Sequence, residues 1–321
     1  MVPDLQRETL SKYKHPLVEA VAEYRDTQSL LSRVHTWAAG RYRDGRVYPQ
    51  WNPARAATGR ASCTTPNVQS LPKGGGFRGC VRPQEGRVLV KADLSQIELR
   101  VLAAITEDEN MLEVFGRGGD LHLNTAEVLA GRKVKKGDLE RQKAKAVYFG
   151  LSFGMGAKRF KEMAERDYGV RMTLSEARDA KEKLLAAYPA IGSWHKQESA
   201  RSEAGNFETF TLLGRRRVVE PDYAGKPSFT ERLNAPVQGT AADILKLALA
   251  ELREDREAYP HAFPVLTVHD EVAIECDEKD AQAVAAWLSE TLRRAVDLVL
   301  GHQELAGEDA VEVTIAPSWE D

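Results

Sequence analysis

The chain has 321 residues, of which 42% are apolar and 29% are charged, and its formal net charge is −3. This composition excludes a disordered or fibrous protein, and no window approaches the roughly 20 uninterrupted apolar residues of a membrane span. The slightly negative charge argues against a protein that coats nucleic acid non-specifically, because such proteins are usually basic overall. The three cysteines lack CxxC spacing and the first residues lack a signal-peptide core, so we expect a cytoplasmic protein without a disulfide framework or a zinc site.

Apolar periodicity and Gly or Pro punctuation predict the secondary structure in chain order. The first half contains a helix over 5–37 with Pro16 suited to its start, a loop-rich stretch over 40–80 with a short strand at 45–48, a strand over 87–92, and helices over 95–105, 120–131 and 138–150 or 138–154. The second half contains a helix over 174–188, strands over 207–219 including one at 210–215, a helix over 237–252 after Pro236, a hairpin over 263–276, a helix over 281–300 and a short strand at 311–313. This order predicts an α+β fold in which a helical insertion interrupts a small antiparallel sheet.

Two carboxylates stand at corresponding points of the predicted sheet. Asp93 follows the 87–92 strand, and Asp270 lies at the turn of the 263–276 hairpin. Paired carboxylates bind hard divalent cations, and two such cations about 3.5 to 4 Å apart support phosphoryl transfer. A strand-end Asp is more often a turn former or a helix cap, so a metal site needs support from elsewhere in the chain.

The helical insertion offers a candidate phosphate-binding face. Arg141, Lys145 and Phe149 recur at i, i+4 and i+8, so two cations and an aromatic ring share one face of a helix. The cations offer donors to a triphosphate, and the ring can pack on a sugar or base. His122 follows the helix-capping Asp120 by two residues and adds a donor near a helix N-terminus, where the dipole favours anions.

These segments resemble the motifs of family A DNA polymerases, the bacterial DNA polymerase I group. Three ordered motifs carry the resemblance: Lys91-Ala-Asp93-Leu-Ser-Gln-Ile-Glu98-Leu-Arg100, Arg141-x3-Lys145-x3-Phe149-Gly150 and Val268-His269-Asp270-Glu271. Supporting segments occur in the family's order at 58–62, 66–69, 119–122, 213–216 and 234–243. The resemblance extends from about residue 10 to the C-terminus, and it implies a right-hand polymerase with an antiparallel palm sheet and a helical fingers insertion.

The resemblance also implies catalytic and nucleotide-binding roles. Asp93 and Asp270 are implied to bind two Mg²⁺ ions, for which Mn²⁺ can substitute, with Glu271 as an adjacent catalytic acid. Lys145 is implied to act as a general acid toward pyrophosphate, and Glu98 is implied to exclude a 2′-hydroxyl. The residues implied to contact the incoming deoxynucleoside triphosphate are Arg141, Lys145, Phe149, His122, Glu98, Gln96 and Phe153.

Primer-template DNA is the second implied partner. The residues implied to contact it are Arg60, Asn67, Gln69, Asn234, Gln238 and His269. The implied domains are a helical thumb-base remnant over 1–39, a palm over 40–109 and 222–321, and helical fingers over 110–221. We expect a monomer without its own proofreading exonuclease, because only about forty residues precede the 45–48 strand, and an accessory polypeptide could supply thumb or exonuclease functions.

Several observations leave alternatives open. Ser95-x-x-Glu98 also has the spacing of a capping box, and Asn234 and Gln238 could pair with each other one helical turn apart. Three positions depart from the family pattern, with Leu94 and Phe153 in place of Tyr and Thr230 in place of Arg. These departures put the fidelity of synthesis and the binding of the template in doubt. The rival functions are a single-subunit RNA polymerase-like enzyme, a catalytically decayed palm that binds DNA, and a metal-dependent nuclease.

Overall fold

The computed structural model describes residues 10, 13–40, 42–72, 74 and 76–320. The longer helices are α1 (Pro16–Ala38), α2 (Ile97–Thr106), α3 (Glu109–Gly116), α4 (Leu121–Ala130), α5 (Leu139–Val147), α6 (Ala157–Tyr168), α7 (Leu174–Ala187), α8 (Pro189–Glu203), α9 (Phe229–Glu254) and α10 (Ala281–Leu300). The strands are β1 (Tyr42–Arg43), β2 (Arg46–Val47), β3 (Gln50–Asn52), β4 (Ser62–Thr64), β5 (Arg87–Leu94), β6 (Glu208–Phe210), β7 (Arg216–Val218), β8 (Phe263–Val268), β9 (Glu271–Asp277) and β10 (Val311–Ala316). The architecture is α+β, as predicted.

A four-stranded antiparallel sheet organises the molecule. Its strand order is β10-β5-β9-β8, so a strand from the first third of the chain lies between strands from the last third. Helices α2 to α9 occupy the intervening sequence. The sheet therefore draws together residues almost two hundred positions apart, which is the arrangement that the paired carboxylates require.

The two faces of this sheet have different environments, because successive side chains of a strand point to opposite faces. On one face, Val90, Ala92 and Ile274 belong to the main hydrophobic core, which α2, α9 and α10 also enter. On the other face, Leu89 and Ala273 belong to a smaller cluster. Asp93 is four positions after Leu89 on β5, so its side chain points to the same face as that of Leu89. This is the face that the main core does not cover.

Most predicted elements are confirmed. Helix α1 begins at Pro16, where the His15 side chain accepts a hydrogen bond from the Leu17 amide. The predicted helix start at residue 5 lies outside the described residues, and residues 13–15 are not helical, so the predicted helix is shorter at this end. Asp120 caps α4 through its side chain, and Gly131 ends that helix in the left-handed conformation. Strands β8 and β9 form the predicted hairpin. In the described part of the chain, no helix has the length and apolar character needed to cross a membrane.

The predicted start of the 237–252 helix is wrong. Helix α9 begins at Phe229, and Pro236 lies inside it rather than before it. A proline in a helix interior costs about 3 kcal/mol, because it lacks an amide donor and its ring crowds the preceding turn. Leu233, Pro236 and Val237 are all buried, and their burial offsets that cost. Tertiary packing thus overrides a proline that usually marks a helix start.

Two further boundaries are also wrong. Residues 210–215 are not a strand: Gly214 has φ +79°, and its amide donates to the Thr211 carbonyl at 2.9 Å, so a turn separates β6 from β7. The helix predicted to reach residue 150 or 154 ends at Val147 and continues as a π-helical turn over Tyr148–Ser152. Phe149 therefore projects from this turn rather than from a regular α-helix, and π-turns recur at functional sites.

Candidate active site

Strand pairing brings the two predicted metal-binding carboxylates to the same edge of the sheet. Asp93 is the penultimate residue of β5, and Asp270 immediately precedes β9, which pairs with β5. The Leu94 amide donates to the Asp270 carbonyl at 3.1 Å, which ties the two segments together. His269 completes the hairpin turn with φ +57°. The hairpin geometry therefore places Asp270 beside the end of β5.

Further acids surround this pair. Asp93 lies opposite Glu271 on one side and opposite Glu312 on the other, and directly opposed residues share a face of the sheet. Carboxylate oxygens are the donors that Mg²⁺ prefers. Among the residues that the structure describes, no group of three or more His, Cys, Asp or Glu side chains is arranged to hold a metal ion. Two carboxylates fit Mg²⁺ nonetheless, because Mg²⁺ usually takes one or two carboxylates and completes its shell with water and phosphate.

Glu98 lies within electrostatic range of this acidic edge. Burial raises the pKa of Glu98, Arg60 opposes the rise, and the charge of Asp270 adds to it. The Glu98 carboxylate forms an ion pair with the Arg60 guanidinium. The predicted capping box is wrong, because α2 has Gln96 in the left-handed conformation at its N-cap and no side chain caps it. The carboxylate is thus held by a residue 38 positions away rather than by its own helix start.

The predicted phosphate-binding residues converge near the N-terminus of α4. Arg141 donates to Asp120 Oδ2 through Nε at 3.1 Å and through Nη2 at 2.6 Å. Asp120 Oδ1 accepts from the Leu123 amide at 3.1 Å. Burial acts to raise the pKa of Asp120, but the hydrogen bonds from Arg141 and Leu123 outweigh it and hold the pKa below its ordinary value. One carboxylate therefore joins α4 to α5 and orients the arginine.

His122 lies at the centre of this group. Its ring centroid is 6.4 Å from that of Phe149, and its side chain is 7% exposed. Burial lowers the pKa of His122 to about 4; the charge of Asp120 opposes this fall, and the charges of Lys145 and Arg141 add to it. The imidazole is consequently neutral at pH 7, and its Nδ1 is buried with no hydrogen-bond partner in the described part of the chain.

The buried His122 predicts a pH-dependent loss of stability. In the unfolded chain His122 binds a proton near pH 6.5, whereas in the folded chain it does so only near pH 4. Stability is therefore complete above pH 6.5 and declines as the pH falls toward 4, by about 3 kcal/mol in all. We expect urea denaturation to show this decline in the unmodified chain and a smaller one in His122→Gln. Equal declines in the two proteins would contradict the burial argument.

Three other residues are predicted to contact the nucleotide, and the structure places them in different environments. Gln96 accepts a hydrogen bond from the Leu121 amide at 3.2 Å through Oε1, so it links the start of α2 to the start of α4. Phe149 is 48% exposed, whereas Phe153 is 4% exposed and packs in the main core. The structure thus exposes about half of Phe149 to a ligand and buries Phe153 in the core.

The residues predicted to contact DNA lie on loops and on α9. Gln69 Nε2 donates to the carbonyls of Ala61 and Thr267, both at 3.1 Å, so it ties the loop before β5 to β8. Asn234 donates to the Thr230 carbonyl at 2.8 Å, whereas the sequence had left open a pairing of Asn234 with Gln238. Asn67 is exposed and Gln238 is half-buried. Roles in DNA binding remain predictions for all of these residues.

Arg215 belongs to the supporting segment 213–216, but sequence reasoning assigned it no role in the site. Its Nε donates to Asp243 at 2.8 Å, and its Nη2 donates to the carbonyls of Thr58 and Gly239, both at 3.0 Å. These bonds tie the loop that carries Arg60 to helix α9. Arg215 therefore supports the position of the Arg60–Glu98 ion pair.

Gly59 is required where this loop passes Arg215. Its φ is +82°, and an added Cβ would lie 2.4 Å from Arg215 Nη2. We expect Gly59→Ala to destabilise the fold by about 2 to 4 kcal/mol, through backbone strain and overpacking together. Gly225 has φ +72° but an added Cβ would meet nothing within 4 Å, so Gly225→Ala should cost only about 1 kcal/mol. Thermal or urea denaturation measures both, and equal losses would contradict the close approach at Gly59.

Sequence reasoning missed the residues that hold the predicted site residues in place. Asp120 was predicted to cap a helix and lies in the supporting segment 119–122, but its ion pair with Arg141 was not predicted. Trp319 was not noticed, although its indole Nε1 donates to Glu271 Oε1 at 2.6 Å. Both contacts join segments far apart in the sequence. The one available signal for Trp319 was a large aromatic residue shortly after the last predicted strand, which was placed at 311–313.

Comparisons with known proteins agree with the architecture and the motifs. A family model described as DNA polymerase family A matches residues 3–321. The chain is 36% identical over 280 residues to DNA polymerase I of Aquifex aeolicus, covering 86% of this chain and 46% of that protein. It is 35% identical over 324 residues to the thermostable DNA polymerase I of Thermus aquaticus, covering 95% of this chain and 36% of that protein. The chain thus spans less than half the length of these relatives.

A solved structure is similar throughout the chain. It is described as the POL domain of Pol1 from M. smegmatis in complex with DNA primer-template and dNTP. The TM-score is 0.82 and the sequence identity is 26%, and the match covers 98% of this chain and 56% of that one. The similarity therefore includes the sheet, the helical insertion and the segments that carry the candidate site.

Proposed function

Since the chain belongs to DNA polymerase family A, we propose that it is a DNA-directed DNA polymerase that adds deoxynucleotides to a primer 3′ end. The observation that carries the proposal is the meeting of Asp93 and Asp270 at one edge of the sheet, through the pairing of β5 with β9. The residues at the N-terminus of α4 and on α5 supply cations for a substrate with several phosphates. An acidic edge beside a cationic face suits nucleotidyl transfer.

In this proposal, Asp93 and Asp270 hold two Mg²⁺ ions, or Mn²⁺ in their place. Ions held by Asp93 and Asp270 would supply charge stabilisation to the attacking primer oxygen and to the leaving oxygen. The chain contributes the backbone positions of Asp93 and Asp270, which the hydrogen bond from the Leu94 amide to the Asp270 carbonyl holds at one edge of the sheet. Glu271 and Glu312 add negative charge beside Asp93, which favours cations at this edge.

Arg141, Lys145 and His122 bind the triphosphate in this proposal. Arg141 presents a fork of donors that Asp120 orients, and such a fork matches phosphate oxygens. Neutral His122 donates a hydrogen bond without adding charge. Lys145 gives a proton to the departing pyrophosphate, as a general acid does. Phe149, half exposed on the π-helical turn, packs on the sugar.

We assign the sugar selection to Glu98 and the duplex contacts to the loops and α9. Glu98 occupies the space of a 2′-hydroxyl, and its ion pair with Arg60 keeps it there. The proposed duplex contacts come from Arg60, Asn67, Gln69, Asn234, Gln238 and His269. The proposed domains are a thumb base over 1–39, a palm over 40–109 and 222–321, and fingers over 110–221. The four-stranded sheet, which takes strands from both palm segments, supports this division.

A primer-extension assay tests the proposal against its rivals. A labelled primer annealed to a longer DNA template is incubated with the chain and Mg²⁺, together with deoxynucleotides, ribonucleotides or no nucleotide. We expect a longer primer with deoxynucleotides only. Efficient extension with ribonucleotides would indicate an RNA polymerase, a shortened primer would indicate a nuclease, and an unchanged primer that is nevertheless bound would indicate a DNA-binding module.

Substitution of Glu98 tests the assignment of sugar selection. We expect Glu98→Ala to raise the ratio of ribonucleotide to deoxynucleotide incorporation by about 10- to 100-fold, since steric exclusion of one group is worth about 1 to 3 kcal/mol. Competitive incorporation on one template measures the ratio. Glu113→Ala is a matched control, because Glu113 is an exposed acid on α3. An unchanged ratio in Glu98→Ala would remove Glu98 from this role.

A further inference from the structure

The face of the sheet that carries Asp93 and Glu271 also carries a small hydrophobic cluster. The cluster contains Leu89 from β5, Ala273 from β9 and Trp319, which follows β10. Asp93 and Glu271 are cross-strand partners, so the acidic edge and the cluster are continuous along this face. A residue of the cluster therefore lies next to the candidate catalytic acids.

Trp319 makes this connection through a single hydrogen bond. Its side chain is 0% exposed, and its indole Nε1 donates to Glu271 Oε1 at 2.6 Å. An N–H bond to a carboxylate oxygen is short and strong when the surroundings exclude water. It fixes one oxygen of a side chain that otherwise has three rotatable torsions.

The indole is itself held from several sides. The Trp319 amide donates to the Val81 carbonyl at 2.9 Å, and the Arg78 guanidinium lies 4.2 Å from the ring centroid. The next residue is also anchored, because Glu320 Oε1 accepts from the Gly76 amide at 3.1 Å and its carbonyl accepts from Lys91 Nζ at 3.4 Å. These contacts hold the Trp319 indole rigidly, and a rigid donor can orient the carboxylate that accepts from it.

We propose that Trp319 is a positioning residue that orients Glu271 beside the Asp93–Asp270 pair and thereby tunes cation binding at that pair. The proposal rests on the proposed polymerase function. Glu271 lies beside two other carboxylates, and mutual repulsion would turn its mobile side chain away from them. The indole N–H counteracts this repulsion by holding the carboxylate. Partners that orient groups around a metal typically change affinity or activity 10- to 100-fold when lost.

Trp319→Phe tests the proposal, because it keeps a ring for packing against Arg78 and removes only the indole donor. We expect Mn²⁺ binding, measured by electron paramagnetic resonance on the chain with primer-template, to weaken about 10-fold. We expect kcat for single-nucleotide incorporation to fall, with the KM for the nucleotide unchanged. Trp287→Phe is the matched control, since the Trp287 indole nitrogen is buried with no hydrogen-bond partner in the described residues.

The Glu271→Ala background separates positioning from packing. In that background Trp319→Phe should cause no further loss of Mn²⁺ affinity, because the carboxylate that it orients is absent. An unchanged Mn²⁺ affinity in the single variant would overturn the proposal. So would an equal loss with and without Glu271, since that result would assign Trp319 a merely structural role.

The indole resonances of the unmodified chain give a readout that needs neither activity nor a substituted tryptophan. The chain has five tryptophans, and we expect Glu271→Ala to shift one indole N–H resonance and speed its exchange with solvent. If all five indole N–H resonances are unchanged in Glu271→Ala, Trp319 does not donate to Glu271 and the proposal is wrong. This test does not depend on whether Trp319→Phe folds. If the unmodified chain extends no primer, the proposed polymerase function is wrong. The indole resonances still report whether Trp319 donates to Glu271.

Discussion

Replacing either carboxylate of the central pair is expected to abolish nucleotide incorporation while leaving the fold and DNA binding intact. Asp93→Asn and Asp270→Asn remove one negative charge each and change the side-chain volume little. Charge stabilisation by bound cations is worth several kcal/mol in the transition state, and each 1.36 kcal/mol is a factor of ten in rate. We therefore expect a loss of about 1,000-fold or more in kcat, measured by single-turnover incorporation with Mg²⁺.

Asp277→Asn is the control for this pair of substitutions. Asp277 ends β9, the strand that Asp270 precedes, but it lies at the opposite end of that strand and within 3.7 Å of Arg87. It should keep nearly full activity. Retention of more than a tenth of the rate in Asp93→Asn or Asp270→Asn would show that the chemistry takes place elsewhere.

The second large effect is expected at Lys145. A general acid contributes about 100- to 10,000-fold to the rate, so Lys145→Ala should lower kcat by an amount in that range. The loss of one phosphate contact should raise the KM for the nucleotide as well. Rapid-quench incorporation over a series of nucleotide concentrations separates the two parameters.

Lys143→Ala provides the comparison on the same helix. Lys143 is exposed on α5, two residues before the half-buried Lys145, and residues two apart point to different sides of a helix. Its removal should change kcat less than twofold. If the two lysines prove equally important, the effect is general electrostatic attraction and Lys145 has no specific role as an acid.

The sheet was predictable because its signals are local. The apolar run ending at Ala92 and the largely apolar runs on both sides of Asp270 specify strands by themselves, and their burial against one core brings them together. The hairpin turn needed only the polar pair His269 and Asp270. Helix α4 was equally clear, since Asp120 and Gly131 mark its two ends. Each of these features depends on residues that are close together in the sequence.

The contacts that orient the site were not predictable in the same way. Glu98 had the spacing of a capping box, but Arg60 binds it instead. Arg141 had the spacing of a free phosphate donor, but Asp120 binds it in this structure. Each partner is at least 21 residues away in sequence, so only the tertiary fold determines the pairing. Pro236 failed as a helix start for a related reason, because burial of its neighbours outweighs the local preference of proline.

Template-directed synthesis is measured most directly by single-nucleotide extension on four templates that differ only in the templating base. With Mg²⁺ present, we expect the chain to add the complementary deoxynucleotide on each template and to release one pyrophosphate for each nucleotide added. The same four reactions with Asp270→Asn should yield almost no product. An unextended primer on every template, or addition of the same nucleotide whatever the templating base, would contradict the assignment of this chain as a DNA-directed DNA polymerase.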